Sequence, residues 1–89
     1  MLIEELRTKL GTINYANASE YFDAFGQVGD WNEEQVLEWI QIFAEQDTDD
    51  YTGLAWDIVQ LIEDNVGPDG LEKLKKLSSY WAQIAVHGM

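Results

Sequence analysis

Seventeen carboxylates, one histidine and no cysteine are the groups in this 89-residue chain that chemistry could draw on. Without cysteine there is no thiolate nucleophile and no disulfide framework. Nucleophilic catalysis by Ser or Thr needs a base beside it. The single imidazole, His87, falls at the end of the last expected helix, where a positive charge suits the helix dipole. Paired carboxylates could act as acid and base on a glycoside, but that chemistry needs a cleft, and a chain this short leaves little room for one. HExxH, P-loop and glycine-rich phosphate turns are all missing from the sequence. Asp47-Thr48-Asp49-Asp50 opens like a calcium loop. Counted from Asp47, however, Tyr51 stands at position 5, Thr52 at position 6 instead of Gly, and Ile58 at position 12 instead of Glu. The stretch therefore reads as a capping loop for the helix that follows. The chain is expected to be non-enzymatic and to need no cofactor or metal.

What the carboxylates offer instead is a field. Five basic residues against seventeen acidic ones give 5 − 17 = −12. From Leu10 to Glu72 there is no Lys or Arg, and fifteen acids stand there. Such a body repels nucleic acid and anionic lipid and attracts basic partners at raised association rates. Nucleic-acid binding needs cations to neutralise phosphates, so the partner expected is a basic protein, with no nucleic acid and no membrane. Solubility alone is the plainer explanation of the same charge.

The elements that must position these groups are helices. No segment alternates with period two, and apolar residues recur at three and four. Tyr51–Gly67 is the central stretch: Leu54, Ala55, Ile58, Val59, Ile62 and Val66 share a face, Asp57, Gln60 and Asp64 oppose it, and Trp56 lies off the face. Asp49 or Asp50 is the expected cap, and Gly67-Pro68 the stop, with Gly67 in the left-handed conformation. Before it, residues 2–10 form a first helix stopped at Gly11. Asn17 with Glu20 reads as a capping box for a second, with Ala18, Tyr21, Phe22 and Phe25 inward. Asp30 or Asn32 caps a third running to about Gln46, with Val36, Leu37, Ile40, Phe43 and Ala44 inward. Glu34, Glu38, Gln41 and Glu45 then form a polar stripe. Leu71, Leu74 and Leu77 mark a short fifth helix after Gly67-Pro68-Asp69-Gly70. Ser78 or Ser79 caps a sixth whose inner face is Trp81, Ile84 and Ala85. The reading is one all-α domain over residues 1–89, with five to six short antiparallel helices as HEAT-like stacked hairpins or an irregular bundle. No apolar run spans a membrane and MLIEELRTKL does not read as a signal peptide, so a cytoplasmic location is expected.

Four tryptophans are many for this length. Trp31, Trp39, Ile42 and Trp56 fall outside the core faces and are candidates for an exposed interface. The two acidic stripes, joined by the Gln46–Asp50 loop, would make one acidic surface.

The run EYFDAFGQVGDWNEEQVLEWIQIFAEQDTDD, the helix LAWDIVQLIED and the end SSYWAQIAVHG together resemble the small helical immunity proteins, with HEAT-like hairpins, of bacterial polymorphic-toxin systems. The resemblance spans about residues 21–87. It rests on an acidic loop before a central apolar helix that closes in an acidic residue, then a short Leu-rich helix and a Trp-Ala pair opening the last one. Asp47, Asp49, Asp50, Glu63 and Trp81-Ala82 carry it. It implies a non-enzymatic protein that binds one cognate toxin and blocks its basic active site. On that reading Glu34, Glu38, Asp47, Asp49, Asp50 and Asp57 pair with Lys or Arg of the partner, and Tyr51 or Trp56 is the apolar anchor. Two alternatives use the same features: a phage- or plasmid-encoded nucleic-acid mimic that inhibits a host nuclease (anti-restriction or anti-CRISPR type), and a non-enzymatic assembly module. The chain is expected to be a monomer or a weak homodimer.

Overall fold

The computed structural model describes residues 3–87, and Leu2, the first residue of the expected first helix, lies outside them. Six α-helices appear in order: α1 Ile3–Leu10, α2 Ala18–Gly26, α3 Glu33–Trp39, α4 Leu54–Asn65, α5 Pro68–Lys75 and α6 Tyr80–His87. A single 3₁₀ turn, Ile40–Ile42, extends α3. No strand occurs among the described residues. The protein is all-α.

α4 is the element on which α3, the turn that extends it and α6 pack. Leu54, Ala55, Ile58, Val59 and Ile62 are all fully buried, each side chain at the three- and four-residue spacing that makes one helix face. α3 and the 3₁₀ turn cover part of that face and α6 another part, while α5 packs on α6 and touches α3. Val66 is half-buried. Burying a Val, Leu or Ile side chain is worth about 1.5–3 kcal/mol, so this one face is a main source of the fold's stability.

α3 starts as expected. Asn32 sits in extended backbone and its side chain accepts from the Gln35 backbone N–H at 2.9 Å. It does not run to Gln46. Continuing at about 100° per residue would leave Ile42 off the buried face. In a 3₁₀ turn residues three apart eclipse, so Ile42 falls in line with Trp39 and both are buried. Phe43 then turns to extended backbone and packs inward, and Ala44, expected in the core, is exposed. The stripe Glu34-Glu38-Gln41-Glu45 therefore breaks after Glu38. Trp39 and Ile42 leave the set of surface candidates. Trp31 is half-buried, its ring 5.0 Å from Phe25 and 5.9 Å from Trp39.

Three further local expectations are corrected by competing partners. Asn17 precedes α2 but makes no side-chain cap. Its carboxamide is buried and spans the preceding connector, accepting from Asn14 N–H at 2.7 Å and donating to the Leu10 and Thr12 carbonyls at 2.9 and 3.1 Å. Gly53, not Asp49 or Asp50, is the N-cap of α4, and the Asp50 group that meets the helix is its carbonyl, which accepts from Gly53 and Ala55 N–H. Gly67 is not left-handed (φ −90°, ψ −173°). It caps α5, which begins at Pro68, earlier than expected, and its N–H donates to Glu33 Oε2 at 2.9 Å. Ser79 does cap α6, accepting weakly from Ala82 N–H at 3.5 Å.

Candidate functional site

The indole of Trp81 is the hub of the candidate site. It is buried in the first turn of α6. That turn is fixed from both sides: Tyr80 N–H donates to the Glu45 carbonyl at 2.8 Å, and Gln83 Nε2 donates to the Leu77 carbonyl at 2.6 Å. Trp81 Nε1–H then donates to the Asp49 carbonyl at 3.1 Å, which ties the acidic loop to the helix. Three rings surround the indole. Phe43 lies 6.2 Å away, Trp56 of α4 at 5.0 Å edge-to-face, and Tyr80 at 5.1 Å edge-to-face. These are favourable aromatic geometries. Trp56 and Tyr80 stay open to solvent, 41% and 40% exposed.

The loop itself is built from its own side chains. Asp47 Oδ1 accepts from Asp49 N–H at 3.0 Å, and Asp49 Oδ1 accepts from Tyr51 N–H at 2.8 Å. Aspartates of this kind close turns on their own backbone. The chain then takes three successive left-handed residues, Tyr51 (φ 49°), Thr52 (φ 59°) and Gly53 (φ 99°). Only Gly53 is free of the steric cost, and a β-branched Thr in this region is strained. The surrounding bonds must hold it there. The Tyr51 hydroxyl donates to Asp47 Oδ2 and lies 3.2 Å from the Ile13 carbonyl. The Tyr15 hydroxyl donates to Asp49 Oδ2. Tyr15 reaches in from the connector between α1 and α2, its ring 5.3 Å from Tyr51, and Tyr51 stacks on Phe43 at 6.0 Å. One run of rings thus joins Tyr15, Tyr51, Phe43, Trp81 and the exposed pair.

Ionisation follows this geometry. The hydrogen bond from Tyr15, then that from Tyr51 N–H, holds the Asp49 carboxyl below the usual carboxylate range. The bond to Asp49 raises the Tyr15 phenol, with further contributions from burial and from the charges of Asp49, Asp50 and Asp47. Tyr51 is raised well above the ordinary phenol range, by burial first and then by its bond to Asp47. Asp47 and Asp49 are thereby held as oriented acceptors. Chemically, the assembly presents oriented carboxylate oxygens, which are suited to receiving cations.

Of the residues singled out in the sequence, the structure brings together Asp47, Asp49 and Tyr51 by direct hydrogen bonds, and places Asp50 within the field felt by Tyr15. Trp56 joins them through Trp81. Asp57 is exposed in the first turn of α4, next to Trp56. Glu34 is exposed and Glu38 half-buried on α3, and among the described residues no hydrogen bond or ion pair links either to the loop. Tyr51 is buried, 5% exposed, and so supports the loop from below instead of offering an anchor. Tyr15, 72% exposed, and Tyr80 are additions. Tyr15 sits in a non-periodic connector and meets Asp49 across 34 residues, so no local pattern announces it. No protein-family model, no curated protein and no solved structure matches the chain.

Proposed function

We propose that this chain is a non-catalytic inhibitory protein that binds a basic site on another protein, as an immunity protein does when it neutralises a cognate bacterial toxin. The observation that carries the reading is the loop Asp47–Asp50. The carboxylates of Asp47 and Asp49 are fixed by tyrosine hydroxyls and backbone amides, just before the strained backbone of Tyr51 and Thr52, and the Asp49 carbonyl ties the loop to Trp81, on which the exposed rings of Trp56 and Tyr80 pack. Strained backbone clusters where function demands a fixed geometry. Fixing the acceptors before binding removes an ordering cost from association. The net charge of −12 adds steering toward a cationic target. Glu34 and Glu38 act in this reading as peripheral charge, and Asp47, Asp49, Asp50 and Asp57 as direct partners of Lys or Arg. Trp56 takes the anchoring role first shared with Tyr51. No described helix is long and apolar enough to cross a membrane, and the proposal places the protein in the cytoplasm with its target.

Asp50 and Asp57 are the residues to reverse, because neither carboxylate holds the loop together, whereas Asp49 anchors both Tyr15 and Tyr51. An immunity gene lies beside the gene of its toxin. The test is to express the domains encoded by the neighbouring genes and measure growth of the producing cells, and the absence of any toxic one would count against the proposal. The wild-type chain should restore growth, and Asp50→Lys/Asp57→Lys should protect far less, with slower association that depends less on salt. Equal protection by the double variant would sink the proposal. Displacement of the chain from its target by duplex DNA would mark it as a nucleic-acid mimic.

A further inference from the structure

We infer that the cavity between α1, α2 and α3 is a binding site for a neutral aromatic molecule carrying one N–H or O–H donor, and that the Gln35 carboxamide is its acceptor. The site does not depend on what the acidic loop binds.

The cavity measures about 250 Å³. Its walls come from three elements. Ile3 and Leu6 line it from α1, Val28 from the connector after α2, and Trp39 from the end of α3. The Trp39 indole is fixed in place, edge-on to Tyr21, Phe25 and Trp31 at centroid distances of 6.4, 5.6 and 5.9 Å. A wall held in this way needs little ordering when a ligand arrives. Gln27 and Gln35 add two carboxamides. No described residue of the lining is charged, although the chain carries −12 and the adjoining groove along α1 and α2 is lined by Lys9, Glu20 and Asp23.

Gln35 sets the chemical requirement. It stands one helical turn before Trp39, so the two share a side of α3. Its Oε1 is buried and accepts no hydrogen bond, and among the described residues it is the one buried side-chain polar atom in that state. An unpaired buried acceptor is costly, and native interiors leave few of them. The last torsion of a glutamine is soft, so the carboxamide turns this oxygen toward the cavity at little cost. A donor placed there meets it.

Size and charge define what carries the donor. A cavity of about 150 Å³ lined by apolar side chains holds benzene, so about 250 Å³ takes a fused bicyclic ring. A flat ring covers the apolar walls and lies against Trp39. An anion would meet no cation in the lining and a repelling field around it. A cation would give up its hydration with no carboxylate in the lining to receive it. Water alone would satisfy the oxygen but leave Ile3, Leu6, Val28 and Trp39 wetted.

The probe is indole, with benzofuran as the same bicycle lacking the N–H. Each is titrated to millimolar concentration into the full chain, and binding is read from the indole and carboxamide N–H resonances. Those of Trp39 and Gln35 should move most. One net hydrogen bond should make indole bind about two- to ten-fold more tightly than benzofuran. Gln35→Met keeps the side-chain length without the acceptor. It should abolish that preference while benzofuran still binds. No movement at Trp39 and Gln35 with either probe, or movement only elsewhere, overturns the site. Equal binding of the two probes to wild type, or a preference that survives in Gln35→Met, overturns the role of Gln35.

Discussion

Removing one oxygen from Tyr51 tests the support beneath the loop. In Tyr51→Phe the buried ring stays, so no cavity opens and the stack on Phe43 persists. The hydroxyl's one proton, shared between two acceptors, goes. The bond to the Asp47 carboxylate is charge-assisted, a class worth about 1.5–3 kcal/mol when buried, and Asp47 is half-buried, so the low end applies. The minor arm toward the Ile13 carbonyl is long, 3.2 Å, and adds about 0.5 kcal/mol. The sum is about 2 kcal/mol. For a domain of this size each kcal/mol moves the melting temperature by about 4–8 °C, so Tm should fall by about 8–16 °C. Thermal and urea unfolding would measure it, and a double-mutant cycle with Asp47→Asn should return about 1 kcal/mol of coupling. The pH dependence gives a second reading. The folded state holds the Tyr51 proton more tightly than the unfolded chain does. Its contribution is therefore full below the ordinary tyrosine pKa of about 10 and falls as pH rises beyond it toward the folded value. Wild type should lose stability above about pH 10, and Tyr51→Phe should lose it less steeply. A change within about 0.5 kcal/mol, the range of ordinary surface substitutions, with an unaltered alkaline limb would refute the idea that this hydroxyl pins the loop.

Other positions separate close packing from conformational habit. A Cβ on Gly70 would stand 2.5 Å from Val66 Cγ1 and 3.0 Å from Glu33 Cδ, so Gly70→Ala should cost about 1–3 kcal/mol despite the usual helical advantage of Ala. A Cβ on Gly26 meets nothing within 4 Å, and Gly26→Ala should be neutral or stabilising by up to about 1 kcal/mol in the same denaturation assay. Asn17→Asp would be harmless if the side chain were only a helix cap. Because its Nδ2 donates to two carbonyls, the substitution should instead cost about 2 kcal/mol, and a Tm equal to wild type would contradict the connector role. Asp49 is depressed by its bonds from Tyr15 and Tyr51, so its contribution is present above the ordinary carboxylate pKa of about 3.9 and is lost as pH falls through the lower folded value. Asp49→Asn should flatten the acid limb of the stability curve, and an unchanged limb would count against the Tyr15 bond.

The sequence by itself determined the class of fold and the central helix. Period-three and period-four apolar spacing needs only i, i+3 and i+4 neighbours, and those are fixed by helix geometry. The same local logic placed the Asn32 cap, the Gly11 stop and the inward faces of Trp81 and Ala85. It also put Trp56 outside the core and Asp57 in water. Tertiary structure decided where the local rules met a competing partner. Asn17 gives up its cap because carbonyls of residues 10 and 12 come within reach of its amide. α3 tightens after Trp39 because burying Ile42 outweighs keeping a regular α-helix. The aspartates before α4 turn on Tyr15, Tyr51 and their own backbone instead of capping the helix. Above all, whether an acid or an aromatic belongs to one site depends on contacts such as Tyr15 with Asp49 and Trp81 with Asp49, 34 and 32 residues apart. Periodicity carries no information at that range, because only packing brings those side chains together.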